Sequence, residues 1–265
     1  MYVAAPGLAL TLNAGRAWRA PRLFELYADG PRIGEGRYEV GSASRVPETS
    51  FDLDASIRWE RGRWTGELSG FRNRVDDFIN VAPSGETRDR LRVYDYRQTA
   101  ATLAGGEFSL GVRPLDALAL YARGDVVRGT RAGGRPLPGV PPARVLAGAE
   151  VHGAGTHASA LGAELEAVSP ATRLSPEERD AAATAAARYP LSTAGYALVS
   201  VTAGSEWRTF GRTVRTDLRV RNIGDVRYRD YLDRYRSFAL APGVNVVLRV
   251  STAFERAFPR GVSRP

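Results

Sequence analysis

Between Thr213 and Phe254 the chain alternates polar and apolar residues through two stretches joined by a Tyr- and Arg-rich connection. Val214, Leu218 and Val220 share one parity, and Arg215, Asp217, Arg219 and Arg221 share the other. In the second stretch Val244, Val246, Leu248, Val250 and Phe254 oppose Asn245, Arg249 and Ser251. Successive side chains of a strand point to opposite faces, so each stretch has one face that carries charge and one that excludes it. A period of two rules out an amphipathic helix here and predicts a sheet that separates two media.

Composition narrows the choice of media. No run approaches 18 uninterrupted apolar residues, which excludes transmembrane helices and leaves transmembrane strands open. The absence of Cys removes disulfides and thiolate metal sites. The net charge of +8 comes entirely from Arg, since the chain has no Lys. Those arginines alternate with Asp and Glu instead of clustering into a basic stripe, so a nucleic-acid partner is not expected. Met1 is not followed by a charged n-region and an apolar h-region, so no secretory signal peptide is visible, and an exported protein would have to be longer than this chain.

The same alternation predicts strands near 7–18, 50–60, 63–80, 92–112, 116–130, 143–152, 156–168, 194–206, 211–223 and 242–254. Connections two, four, six and eight are tight, at Arg61-Gly62, Arg113-Pro114-Leu115, Gly153-Ala154-Gly155 and Trp207-Arg208-Thr209-Phe210. The others are long, near 19–49, 81–91, 131–142, 169–193 and 224–241. Short turns at one end and long loops at the other are the pattern of an outer-membrane barrel. Phe51, Leu53, Ala55, Ile57 and Trp59 oppose Asp52, Asp54, Ser56, Arg58 and Glu60, and the later strands repeat this without charge on the apolar parity. Strands of about ten residues suit a tilted bilayer crossing, and an Ala- and Gly-rich apolar face suits lipid contact better than a filled core. The expectation is an all-β fold: an antiparallel transmembrane β-barrel segment of about ten strands. The alternation falters near Gly70 and Phe71, where the strand carrying Phe71, Asp76, Asp77 and Phe78 is expected to leave the membrane or bulge.

Five stretches, in order, resemble the TonB-dependent outer-membrane receptors: GRAWRAPRLFELYADGP, PETSFDLDASIRWERG, GFRNRVDDFI, LPGVPPARV, and NIGDVRYRDYLDRYR leading to PGVNVVLRVSTAF. The resemblance implies the C-terminal half of a 22-stranded barrel over residues 1–254, in the outer membrane of a Gram-negative-type bacterium. It further implies a plug domain absent from this chain and import of a scarce nutrient energised through TonB, most often an iron chelate or siderophore. Outer-membrane lipid and the barrel assembly machinery are the other implied partners, and no cofactor is implied. Family members usually end on a terminal aromatic residue that serves as the assembly signal. Phe254 matches it, and residues 255–265, ERAFPRGVSRP, form an extension expected to be disordered.

If the long loops are external, ligand contacts are expected from their side chains. The candidates are Arg19, Phe24, Glu25, Tyr27 and Asp29 in the first loop. In the last they are Arg227, Tyr228, Arg229, Tyr231, Asp233, Arg234, Tyr235 and Arg236. Guanidinium and aromatic groups together suit an anionic or aromatic metal chelate. The alternative for Tyr228 and Tyr231, with Trp18, is an interfacial aromatic girdle. His152 and His157 flank a tight turn and make a poor zinc site without Cys. Ser175 and Pro176 open a predicted helix over 175–188 inside the fourth long loop. Two other classes fit the alternation: a stand-alone ten-stranded outer-membrane hydrolase, disfavoured by its two His falling at the wrong rim, and a soluble β-sandwich binding module.

Overall fold

The computed structural model describes residues 2–153, 159–183, 191–209 and 211–252. The strands are β1 (Tyr2–Ala5), β2 (Leu8–Arg19), β3 (Asp29–Arg32), β4 (Arg37–Val40), β5 (Glu48–Arg61), β6 (Trp64–Arg88), β7 (Leu91–Leu115), β8 (Leu118–Arg131), β9 (Arg135–Pro136), β10 (Arg144–His152), β11 (Ser159–Val168), β12 (Tyr196–Thr209), β13 (Arg212–Arg221) and β14 (Asn245–Thr252). Two helices, α1 (Leu23–Tyr27) and α2 (Pro176–Ala183), lie in the long connections. All strands belong to one sheet in the order β1-β2-β5-β6-β7-β8-β10-β11-β12-β13-β14, with β3, β4 and β9 added at the loop end. Consecutive strands of that path pair antiparallel, and a single sheet leaves no place for the two facing layers of a sandwich.

The ten expected strands are present, and among the described residues the strand count is corrected upward to fourteen by β1, β3, β4 and β9. These four run to four residues or fewer and carry no readable alternation; they form because neighbouring strands offer free edges. Beyond Ala101, where β8 ends against β7, β4 takes over the edge of β7 in parallel register, Arg37 opposite Arg92 and Val40 opposite Asp95. The second long connection is also corrected. Residues 81–91 are not a loop but the upper part of the β6–β7 hairpin, closed by Asp89 and Arg90, both at positive φ. A turn with two positive-φ residues matches the twist of paired strands.

The register settles which residues share a face. Leu12 is opposite Ala55, Ile57 opposite Leu68, Leu68 opposite Phe108, and Leu110 opposite Ala122. Ala122 meets Ala147, Ala147 meets Leu165, Leu165 meets Val199, and Leu218 meets both Ala203 and Leu248. An uncharged band therefore crosses all ten long strands on one face. Its large side chains are solvent-accessible: Leu12, Leu68, Leu161 and Leu248 are 69%, 53%, 65% and 64% exposed. A continuous apolar face of this extent is far larger than soluble proteins leave open, and it is complete only against lipid.

The chain's four Trp mark the limits of the band. Trp18 lies at the loop end of β2, while Trp59, Trp64 and Trp207 lie at the opposite ends of β5, β6 and β12, all on the apolar face. Leu8 is opposite Trp59, so Trp18 stands ten residues above that row. Ten residues of a strand tilted by ~40° rise about 25 Å, the height of an outer-membrane apolar band. No described helix is long and apolar enough to cross a membrane.

The opposite face is charged, and the charges pair across strands: Arg58 with Glu67 (2.8 Å), Arg144 with Asp125 (3.1 Å), Arg219 with Glu164 (2.6 Å) and Arg221 with Glu166 (2.9 Å). The register runs unbroken through Gly70 and Phe71, where the sequence predicts the irregularity, and the bulge in β6 falls between Val75 and Phe78, with Asp77 at φ 55. Its backbone carbonyl accepts from the Gln98 side-chain amide at 2.9 Å, which also donates to Val46. Above the bulge, β6 continues from Phe78 to Arg88 and β7 from Leu91 to Thr99, about 30–35 Å of strand.

Candidate functional site

The long loops rest on three centres, each built round a buried carboxylate that accepts from several donors. The first centre is Glu48, at the start of β5. It is paired with Arg19 from the end of β2 (2.8 Å) and accepts the Ile79 backbone N–H at 2.6 Å. Arg19 also reaches Glu25 at 2.9 Å, and Glu25 accepts the Arg22 N–H at 2.7 Å, closing the first turn of α1. Burial pushes the Glu48 carboxyl up, but Arg19 and the Ile79 N–H outweigh it and hold it below the usual carboxylate range.

The second centre is Glu39 on β4, 3% exposed. It accepts from the Tyr96 hydroxyl at 2.6 Å, from Arg37 at 2.7 Å and from Arg32 at 3.2 Å. Burial raises this carboxyl too, and those three donors together bring it below its ordinary value. Phe24 lies over the same region, 5.8 Å from the Tyr96 ring and 5.6 Å from the Arg32 guanidinium.

The third centre ties the fourth loop to the last. Ser175 and Glu178 cap α2 reciprocally: the Glu178 N–H donates to Ser175 Oγ at 3.1 Å, and the Ser175 N–H donates to Glu178 Oε2 at 2.9 Å. The other oxygen of Glu178 accepts from the Tyr231 hydroxyl at 2.6 Å and from Arg236 at 3.1 Å, with the Arg236 guanidinium over the Tyr231 ring. Burial, and then the Glu178 carboxylate, push the Tyr231 hydroxyl well above the ordinary phenol value. Glu177, next to it, pairs with Arg131 at the end of β8 at 2.5 Å.

These centres place the expected ligand residues in two tiers. Arg19, Glu25, Tyr231 and Arg236 belong to the floor and have their polar groups engaged within the protein. Tyr228 is 9% exposed and packs on Tyr196 with ring centroids 4.3 Å apart. Tyr228 and Tyr231 are therefore not part of a lipid-facing girdle: both are buried under the last loop, and only Trp18 of that trio faces outward. Asp233 is turned inward on its own loop, accepting the Tyr235 N–H at 2.8 Å, and Arg229 is half-buried.

The upper tier is open. Tyr27 and Tyr235 are 67% and 70% exposed, Phe24 is 40% exposed, and Arg227 and Arg234 lie at the surface. Asp29 accepts from the Tyr38 hydroxyl at 2.9 Å. Arg234 is ion-paired with Glu35, which brings the last loop onto the first across 199 positions of sequence. The tier thus gathers residues from both ends of the chain into one exposed surface.

Below the loops, the charged face holds a polar basin of about 660 Å³ bordered by Glu67, Glu107, Arg123, Asp125 and Arg144. Glu39, Glu178, Arg131 and Tyr96 were not singled out from sequence. Only Glu178 had a readable signal, the Ser-x-x-Glu spacing before a helix. Among the described residues, no group of three or more His, Cys, Asp or Glu is placed to hold a metal ion. Phe254, the extension 255–265 and His157 lie outside the described residues, as do the last residues of the helix expected over 175–188.

The family model described as "TonB dependent receptor-like, beta-barrel" matches residues 1–223. Among solved structures, the copper transporter OprC superposes with a TM-score of 0.76 at 19% identity, over 94% of this chain and 37% of that one. The FrpB iron transporter of Neisseria meningitidis gives a TM-score of 0.69 at 14% identity, over 94% and 37%. The ferric yersiniabactin uptake receptor FyuA of Yersinia pestis gives 0.58 at 15%, over 94% and 34%. The chain spans about a third of the length of these structures. The family-model match over residues 1–223 sets the chain apart from a stand-alone ten-stranded hydrolase.

Proposed function

Because the chain belongs to the TonB-dependent receptor β-barrel family, we propose that it forms part of the wall and external loops of an outer-membrane receptor for a scarce nutrient, most often a metal held in a chelate. Energy would reach this receptor through TonB, acting on a plug domain in the lumen. The observation that carries the reading is the division between faces: an uncharged outward band about 25 Å tall across ten strands, backed by an inner face whose arginines and carboxylates pair with one another. A wall of that kind separates lipid from a polar passage.

The chelate is favoured over a bare ion by what the open tier presents. Arg227, Arg234, Tyr27, Tyr235 and Phe24 offer guanidinium donors and aromatic faces, which recognise anionic and aromatic ligands. Copper or zinc ions taken directly call for imidazole, thiolate or thioether ligands, and this chain has two His, one Met and no Cys. The structures it resembles are titled for copper, iron and ferric-chelate uptake, which agrees with metal cargo of either kind.

The test is uptake. Cells expressing the full-length protein as their sole receptor would be supplied with radiolabelled ferric chelates of catecholate, hydroxamate and carboxylate type under iron limitation. Accumulation of one class, lost on deletion of the protein and on deletion of TonB, is expected. Accumulation that survives either deletion would overturn the reading.

A further inference from the structure

The outward face keeps its uncharged character up to a sharp border, and on three strands that border is arginine. On β6, Gly66, Leu68 and Gly70 are followed on the same face by Arg72 and Arg74, both exposed. On β2, Leu12 and Ala14 are followed by Arg16, and on β8, Gly124 and Val126 are followed by Arg128. Cross-strand register brings these residues into two adjacent rows. Arg16 faces Phe51, which faces Arg74; one step below, Leu53 faces Arg72, Arg72 faces Ala104, and Ala104 faces Arg128. Arg72 and Arg128 are therefore two strands apart, about 10 Å, as are Arg16 and Arg74.

Each of the four stands eight to ten residues above the turn at the opposite end of its strand. For a strand tilted by ~40° that is about 20–25 Å, the top of the apolar band. The four thus ring one sector of the band at its external edge, where the apolar medium ends.

Their pairing differs from that of the inner face. There Arg58, Arg144, Arg219 and Arg221 each meet a carboxylate. Of the border arginines, Arg74 pairs with Asp76 on the same strand at 3.2 Å. Among the described residues no hydrogen bond or ion pair engages the guanidinium groups of Arg16, Arg72 and Arg128. Beside Arg128 opens a cleft of about 300 Å³ whose walls include Val126, Pro141, Pro142 and Arg173. Unpaired guanidinium groups at the rim of an apolar face match a row of phosphates whose acyl chains lie against that face, and Arg binds phosphate through two parallel N–H donors.

We propose that Arg16, Arg72, Arg74 and Arg128 form a docking surface for the phosphorylated headgroups of lipids in the leaflet that meets this edge of the band. The proposal rests on the membrane-spanning reading above. Arg16, Arg72 and Arg128 supply the contacts to phosphate, Arg74 is shared between phosphate and Asp76, and Phe51, Val126 and the proline-lined cleft contact the upper acyl segments.

The experiment uses the full-length protein in phosphatidylcholine nanodiscs containing either a bis-phosphorylated acylated disaccharide lipid or the same lipid with its phosphates removed. Bound lipid is counted by native mass spectrometry. The phosphorylated lipid should be retained and the dephosphorylated one lost. An arginine near a charged membrane surface contributes about fivefold in affinity, so R16Q/R72Q/R128Q should weaken retention about a hundredfold. R16K/R72K/R128K should keep much of it, and R123Q on the inner face should keep all of it. Retention unchanged in the triple Gln variant would overturn the inference, as would equal retention of the two lipids or displacement by millimolar inorganic phosphate. A protein that fails to insert into the discs at all overturns the membrane reading as well, whereas an inserted protein indifferent to phosphate overturns this inference alone.

Discussion

The Tyr231 hydroxyl donates to Glu178 at 2.6 Å, joining the last external loop to the helix of the fourth loop across 53 positions of sequence. Both side chains are buried, and Glu178 also anchors the cap of its own helix and the Arg236 guanidinium. A carboxylate with three donors can be held away from water; one that loses its best donor cannot be held as cheaply.

Tyr231→Phe removes only the donor and leaves the ring in place over Arg236. The expected cost is about 1–3 kcal/mol, the penalty for a buried charged acceptor left short of a partner. It should appear as faster protease cleavage within 224–241 with the barrel's global unfolding little changed. Uniform destabilisation of the strands, with no local effect on the loop, would contradict this role.

Acid should loosen the loops before it touches the wall. Glu39 and Glu48 have carboxyls held below the usual value of 4.5, burial being outweighed by Tyr96, Arg37 and Arg32 in one case and by Arg19 and the Ile79 N–H in the other. For a group whose folded-state pKa is depressed, the stability it contributes is fully present above the unfolded value and is lost as pH falls through the folded one. Loop protection measured by hydrogen exchange should stay flat from neutral pH down to about 4.5 and then fall. Glu48→Gln should remove part of that acid step, and an unaltered profile in the variant would rule Glu48 out as its source.

Leu110 and Ser109 are neighbours on β7 that face different media, Leu110 in the uncharged band and Ser109 on the charged basin. Leu110 lies five residues above the lower end of β7, close to the middle of the band. Leu110→Arg should cost about 2–4 kcal/mol by unfolding from lipid vesicles, the depth-dependent penalty at the midplane. Ser109→Arg should cost far less, since Glu67 and Glu107 stand beside it. Equal costs at the two positions would contradict the assignment of faces.

How far the sequence could be read follows from which force shapes each part. Alternation is imposed by the boundary between lipid and lumen, so every strand that crosses it was legible, including the tight turn at Gly62, which adopts φ 59. Above the band both faces of β6 and β7 meet protein or water, and Pro83, Gly85 and Asp89 read as loop chemistry although they lie in or cap a hairpin. Short strands such as β4 exist because β7 offers an edge there, and no local pattern encodes that edge. The same applies to the loop charges. Arg19, Glu25 and Arg236 look like ligand contacts in a linear chain, and only the fold reveals that Arg19 and Arg236 already donate to Glu48 and Glu178 and that Glu25 accepts from Arg19 and the Arg22 N–H.

The β6–β7 hairpin closes through Asp89 and Arg90, with φ of 50 and 64. Holding Arg in the left-handed region costs about 1–2 kcal/mol relative to Gly. The Asn-Gly pair is the preferred occupant of a turn with two positive-φ residues. Asp89→Asn with Arg90→Gly should therefore slow hydrogen exchange at Arg88 and Leu91, the pair nearest the turn, by up to about tenfold. Faster exchange would mean that Arg90 holds the tip through its side chain.

The two tiers of the loop surface can be told apart by a binding experiment. Tyr27 and Tyr235 project from the first and last loops, exposed at 67% and 70%, and neither is among the residues that anchor the floor. Replacing both with Ala removes aromatic contact without uncovering a buried partner, so folding and membrane assembly should be unchanged. For a chelate that stacks between them, affinity should fall about tenfold, read as a rise in the half-saturating concentration for uptake at unchanged maximal rate. Arg19→Ala should act differently: it strips the partner from Glu48 and Glu25, so loop protection and binding should fall together. If the two tyrosine substitutions leave half-saturation untouched while Arg19→Ala abolishes binding, recognition belongs to the floor and not to the open tier.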